Sequence, residues 1–142
     1  MDLSYRQIGA LPYRLTPAGE REVLLVTSRG TRQWIIPKGW PMDDFTDPDA
    51  AAREAYEEAG LIGEIATKPV GTFTYMKQPK GAEAPAEIVV DVYPMRIDRQ
   101  LAFWPEASQR QTAWMSPALA HTMVSNPTLR MLLATWSADP DS

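Results

Sequence analysis

The chain has 142 residues, 44% hydrophobic and 23% charged, with no cysteine, one histidine and a formal charge of −4. This length suits a single domain over residues 1–142 with a normal core, and the composition excludes a disordered chain. The missing cysteines exclude disulfides and thiol catalysis, the lone His121 gives histidine triads no material, and the acidic balance argues against a nucleic-acid polymer as partner.

Tyr5 to Leu15 reads as a first strand, in which Pro12 predicts an edge or a bulge. Glu22 to Ser28 holds the apolar run Val23-Leu24-Leu25-Val26, suited to a buried strand. After the turn Arg29-Gly30-Thr31, Trp34 to Ile36 is a short strand stopped by Pro37. Ile65 to Val70 and Gly71 to Met76 read as strand segments divided at Gly71, and Lys77 to Pro85 as a polar loop. Glu87 to Ile97 is the strongest strand, with Pro94 again suggesting a bulge or an edge. Gln111 to Met115 is the last strand, and Ser116 and Asn126 precede helices opening at Pro117 and Pro127. Met123, Met131 and the neighbouring leucines are most simply a helix core face. Strands on both sides of one central helix, followed by terminal helices, predict a mixed sheet covered on two faces.

The central helix carries the chemistry. Asp47 suits its N-cap, Pro48 its first position and Gly60 the residue past its end, so it is predicted over Pro48 to Ala59. At ~3.6 residues per turn Glu54 and Glu58 lie one above the other, with Glu57 beside them. Carboxylates about 6 Å apart repel by about 3 kcal/mol per pair at an effective dielectric of about 20. Arg53, four residues before Glu57, relieves part of this, and a hard divalent cation would relieve the rest.

Gly39, Arg53, Glu54, Glu57, Glu58, Gly60 and Leu61 fall on the pattern G-x5-E-x7-R-E-U-x-E-E-x-G-U, with Ala55 at the first aliphatic place U. The segment resembles the Nudix box, with one departure: Phe45 stands where the first Glu belongs. Ala10-Leu11-Pro12-Tyr13-Arg14, Leu24 to Arg29, Trp34 to Trp40, Phe103-Trp104-Pro105-Glu106 and Arg110 to Met115 resemble a subgroup near diphosphoinositol polyphosphate and diadenosine polyphosphate hydrolases. The resemblance covers nearly the whole chain. It implies an α/β/α sandwich with a mixed sheet, and hydrolysis of a small-molecule phosphoanhydride with Mg²⁺, or alternatively Mn²⁺. It implies Glu54 and Glu58 as metal ligands, helped by Glu57 and by the main-chain carbonyl at Gly39 or Lys38, with Arg53 orienting Glu57. The general base is placed variably: Glu54 or Glu106, with Glu83 and Glu87 as weaker choices.

Lys38, Arg29, Arg32, Lys77, Lys80 and Arg110 can each bind phosphate, though solvated charge is the simpler reading for any one alone. Lys38 is the exception, because it adjoins the box glycine. Trp34 and Trp114, on strands, suit the core, whereas Trp40 and Trp104, in loops, can stack on a base. No run of about 18 apolar residues and no basic-then-apolar start is present, so no membrane partner and a cytoplasmic location are expected. Two other functions fit the same residues: a silent module of this fold that binds a nucleotide or polyphosphate, and an interaction domain whose glutamates are only surface charge.

Overall fold

A computed structural model describes residues 5–137. Strands β1 (Tyr5–Leu15), β2 (Arg21–Thr27), β3 (Trp34–Ile35) and β4 (Lys38–Gly39) precede helix α1 (Asp47–Ala59). Then come β5 (Leu61–Ile65), β6 (Gly71–Lys77), β7 (Ala86–Gln100) and β8 (Thr112–Met115), followed by α2 (Pro117–Met123) and α3 (Pro127–Ser137). All the strands join one sheet of order β3-β2-β1-β7-β5, with β4 on β1, β6 on β7 and β8 on β2. The central pair β1–β7 is parallel and the other pairings are antiparallel, so the sheet is mixed.

Alternation along the strands divides the interior in two. Val23, Leu25, Ile88, Val90 and Val92 turn towards α2 and α3, where Leu129, Leu133 and Trp136 meet them. Leu24, Val26, Tyr93, Met95 and Ile97 turn to the other face, under Ala50, Ala51, Ala55 and Ala59 of α1. The result is the expected α/β/α sandwich. Among the described residues no helix is long and apolar enough to cross a membrane.

Three expectations need correction. Pro12 and Pro94 lie in the two central strands, not at an edge or in a bulge. Pro12 falls between the residues of β1 that pair with β4 (Ile8, Gly9) and those that pair with β2 (from Tyr13). Pro94 falls between the partners of β6 (up to Val92) and of β5 (from Met95). Each proline sits where one neighbouring strand hands over to the next, the place at which a missing N–H costs least. The segment read as a strand over Ile65 to Val70 is instead the connection after β5, interrupted by Pro69, and the strand lies earlier. Gly63 hides β5 in the sequence, yet a side chain there would strike the Arg96 carbonyl across the ladder. Met123 and Met131 are exposed rather than core, and Leu129, Leu132, Leu133 and Trp136 carry the buried face of α3.

Candidate active site

Helix α1 starts one residue earlier than predicted. Thr46 is the N-cap, its Oγ1 accepting from the Asp49 N–H at 3.2 Å, and Asp47 instead pairs with Arg6 at 2.9 Å. A threonine hydroxyl and an aspartate are both good caps, and the Arg6 partner draws Asp47 away from the role. At the other end Gly60 is left-handed, with φ 69°, and its N–H returns to the Tyr56 carbonyl. The helix carries Asp47 and Asp49 in its first turn, where its dipole favours them, but no basic residue in its last. Glu54, Glu57 and Glu58 crowd towards the negative end, an arrangement that works against helix stability.

Glu58 is only 3% exposed. Burial pushes its carboxyl up to about 9, and Glu54 and Glu106 add to the rise while Arg110 opposes it. Glu54 is also raised, first by burial and then by Glu57 and Glu106, although its hydrogen bond with Glu58 pulls the other way. Glu58 Oε1 is buried without a hydrogen-bond partner, and Arg110 Nη1 stands 3.7 Å from it. An orphan buried oxygen in a pair that resists ionisation fits a site built for a cation. Among the described residues no three acidic or histidine side chains converge into a ready cage. Mg²⁺ commonly takes only one or two carboxylates, with waters and substrate phosphates filling its other positions, so two glutamates and an open cleft suffice.

Facing this pair, β4 splits its two residues between the faces of the sheet. Gly39 pairs with Ile8 and Lys38 with Gly9. A side chain at Gly39 would occupy the space of the Glu54 carboxylate, which is why glycine is required there. Lys38 turns the other way, and its Nζ donates to the Tyr75 hydroxyl at 3.0 Å. Burial lowers its ammonium to about 8, with Glu58 pulling it back and Lys77 and Arg110 pushing it further down. Lys38, Gly39, Glu54, Glu58, Glu106 and Arg110 line a single cleft of about 990 Å³.

The segment after β7 closes one wall. Leu101 N–H donates to the Gly60 carbonyl at 2.8 Å, and Glu106 N–H to the Glu57 carbonyl at 3.0 Å, fastening the loop to the end of α1. Trp104 Nε1 donates to the Glu58 carbonyl at 3.1 Å, and its ring covers Gly60 so closely that no Cβ would fit. Glu106 is thereby brought to the cleft, with Arg110 Nε donating to its Oε1 at 2.7 Å. Arg110 also donates to the Thr27 carbonyl at 3.0 Å.

The expected residues therefore divide. Glu54, Glu58, Glu106, Lys38, Gly39, Arg29, Lys77 and Trp40 are gathered at the cleft. Arg29 Nη1 also donates to Gln109 at 3.0 Å, and the Lys77 ammonium lies 6.0 Å from the centre of the Trp40 ring. Glu57 and Arg53 pair at 3.0 Å but do not line the cleft. Glu57 acts there through its charge on Glu54. Arg32 also stays outside, in a turn with φ 54°. So do Lys80, Glu83 and Glu87, and Trp104 packs on the helix end instead of offering a free platform. Phe45, with its neighbours Asp43 and Asp44, is exposed and outside the lining. Sequence reading passed over Gln7 and Tyr75 and gave Arg110 no special weight. Gln7 was legible as a polar residue beside the buried run of β1; the other two had no local signal.

The fold and site thus define an α/β/α sandwich with a mixed sheet, in which acidic side chains of one helix share a cleft with Lys38 and Arg110. The NUDIX domain model matches residues 6–134, and the chain belongs to that family. Nudix hydrolase 18, mitochondrial, of Arabidopsis thaliana is 33% identical over 115 residues, 76% of this chain and 62% of that protein. The chain thus spans under two thirds of the length of this relative. Human diphosphoinositol polyphosphate phosphohydrolase 3-alpha is 42% identical over 62 residues, 43% of this chain and 37% of that one. Among solved structures, a C. elegans Ap4A hydrolase binary complex superposes with TM-score 0.66 at 24% identity, covering 94% of this chain and 96% of that one, a likeness of fold.

Proposed function

We propose that the chain is a divalent-metal-dependent hydrolase of phosphoanhydride bonds in small molecules. The observation that carries this reading is one cleft that gathers the buried Glu58, with its orphan Oε1, the half-buried Glu54, and two cations largely withdrawn from solvent, Lys38 and Arg110. Neither half serves the fold, since the acids work against α1 and Lys38 forfeits hydration. Together they suit a ligand that brings negative phosphate and positive metal at once. Glu54 and Glu58 would hold the ion, with the main chain at Gly39 beside them. When bound, the ion neutralises phosphate oxygens and acidifies water.

The chain's own groups do the rest. Lys38 and Arg29 bind phosphate oxygens from the side opposite the acids, and Lys77 draws the anion to the mouth. Glu106, whose Oε1 is held by Arg110, keeps its other oxygen free to take a proton from an attacking water. Trp40, 39% exposed and edge-on to Tyr5, offers a flat apolar surface at the mouth, suited to a base. Phosphate-dense substrates fit the cation count, and an aromatic surface adds room for a nucleoside. Dinucleoside polyphosphates and diphosphoinositols are therefore ranked together, ahead of small oxidised nucleotides. The human and C. elegans relatives carry names of those two kinds.

The test is a kcat/KM panel with Mg²⁺ and with Mn²⁺, spanning a diadenosine polyphosphate, a diphosphoinositol, 8-oxo-dGTP and ADP-ribose. One of the first two is expected to lead. A tenfold lead by either of the last two, about 1.4 kcal/mol in transition-state binding, would overturn the substrate ranking. Metal-independent turnover would overturn the metal assignment. Ligand-induced thermal stabilisation without turnover would favour a silent binding module instead.

A further inference from the structure

Gln7 is a polar side chain at an inward position of the central strand β1, only 2% exposed, where an aliphatic residue would serve the core better. Its amide oxygen accepts from the Tyr75 hydroxyl at 2.7 Å, and that hydroxyl accepts from Lys38 Nζ at 3.0 Å. The direction is fixed by chemistry. An ammonium only donates, so the Tyr75 oxygen must receive its hydrogen, and the hydroxyl proton then points to an acceptor, the Gln7 carbonyl. The three residues come from β1, β4 and β6, and all line the cleft. The Lys38 ammonium also lies 4.2 Å from the centre of the Tyr75 ring.

This chain of bonds has a particular task to do. Lys38 has a long flexible stem, and Glu58 and Glu54, which line the same cleft, attract it. Left free, the ammonium would swing onto those carboxylates, and both partners would be lost to a ligand. We propose that Gln7 is a positioning residue: through the Tyr75 hydroxyl it holds Lys38 on its own side of the cleft, apart from Glu54 and Glu58, ready for a phosphate. The inference rests on reading Lys38 as a phosphate-binding cation.

The experiment is a mutant cycle among Gln7→Met, Tyr75→Phe and Lys38→Met in the full chain. Calorimetric binding of inorganic pyrophosphate with Mg²⁺ is measured beside steady-state kinetics. Gln7→Met is expected to weaken pyrophosphate binding and raise KM about tenfold, with kcat changed much less. Tyr75→Phe should do the same, and the pair together no worse than either. In the Lys38→Met background Gln7→Met should change binding by less than about twofold, because its effect runs through the lysine. An equal loss in both backgrounds would make Gln7 a structural residue or a direct ligand and overturn the proposal. So would an unchanged Gln7→Met, or a parent that binds no pyrophosphate. If Gln7→Met does not fold, Tyr75→Phe against Lys38→Met decides the same point. A parent that binds pyrophosphate yet hydrolyses no phosphoanhydride would end the hydrolase reading and leave this cycle able to judge the positioning role.

Discussion

Helices α1 and α3 cover opposite faces of one sheet and are built on different terms. Helix α3 puts Leu129, Leu132, Leu133 and Trp136 into the core, with the Trp136 ring 5.5 Å from that of Tyr13. Helix α1 offers mainly alanines, small enough to bring its backbone down onto β1 and β5, and one buried glutamate. Little apolar area is buried per residue there. Its position is fixed instead by local devices: the Thr46 cap, the left-handed Gly60, the Trp104 ring over that glycine and the Glu106 tether. One face is organised for stability and the other for placing carboxylates, so damage to each should appear in a different measurement.

The largest expected effect falls on the α3 side. Trp136→Ala removes a side chain that is 1% exposed, and should cost about 3–5 kcal/mol of stability. Denaturant unfolding would record it, while kcat/KM per folded molecule stays within about twofold of the parent. A comparable fall in kcat/KM of the folded fraction would mean that the two faces are coupled and the comparison false.

The mirror experiment is Glu58→Gln. It should lower Mg²⁺-dependent kcat about 100-fold or more, about 2.7 kcal/mol, because a glutamine cannot become the carboxylate that would hold the ion. Stability should move the other way. The Glu58 carboxyl is raised in the fold from 4.5 to about 9, so the folded protein binds this proton more tightly than the unfolded chain. That favours folding below pH 4.5 and is lost as pH rises towards about 9. A glutamine in its place has no proton to lose, so the metal-free variant should melt no lower than the parent at pH 8 and gain on it from pH 5 upwards. Parental turnover at saturating Mg²⁺, or a lower Tm in the metal-free variant at pH 8, would remove Glu58 from the role assigned to it.

The same contrast explains what could be read in the sequence. The α1 side was legible because its rules are local: a cap, a proline, a stop glycine and carboxylates one turn apart. Even its error was local, Thr46 and Asp47 being near-equal caps until Arg6 arrives from β1. The strand prolines were misread because only the sheet order reveals that Pro12 and Pro94 lie at handovers between partners. Arg110 and Tyr75 meet Glu58 and Lys38 through topology, from elements far away in the chain, so no spacing announces them. Met131 failed for the opposite reason: helical periodicity gives a face, and α3 already fills it with Leu129, Leu132, Leu133 and Trp136, while Met123 ends the short helix α2, which buries Ala120 instead.

The smallest effect is expected where the chain departs from its family's pattern. Phe45 precedes the Thr46 cap, is 44% exposed and does not line the cleft; its N–H closes a turn on the Met42 carbonyl at 3.1 Å. A glutamate at this place would lie beside the positive end of α1, a favourable interaction of about 0.3–1 kcal/mol at most. Asp43, Asp44, Asp47 and Asp49 all lie within four residues of it in the chain, so repulsion should offset part of that gain. Phe45→Glu should therefore leave kcat within about twofold of the parent and shift Tm by no more than a few degrees. Metal affinity should tighten modestly if it changes at all, since the added charge lies off the Glu54–Glu58 pair. Calorimetric Mg²⁺ titration of the two proteins, run beside their turnover, measures both quantities. A parent inert towards every phosphoanhydride, together with a Phe45→Glu variant that turns one over, would make the natural chain a silent binder whose site lacks one acid.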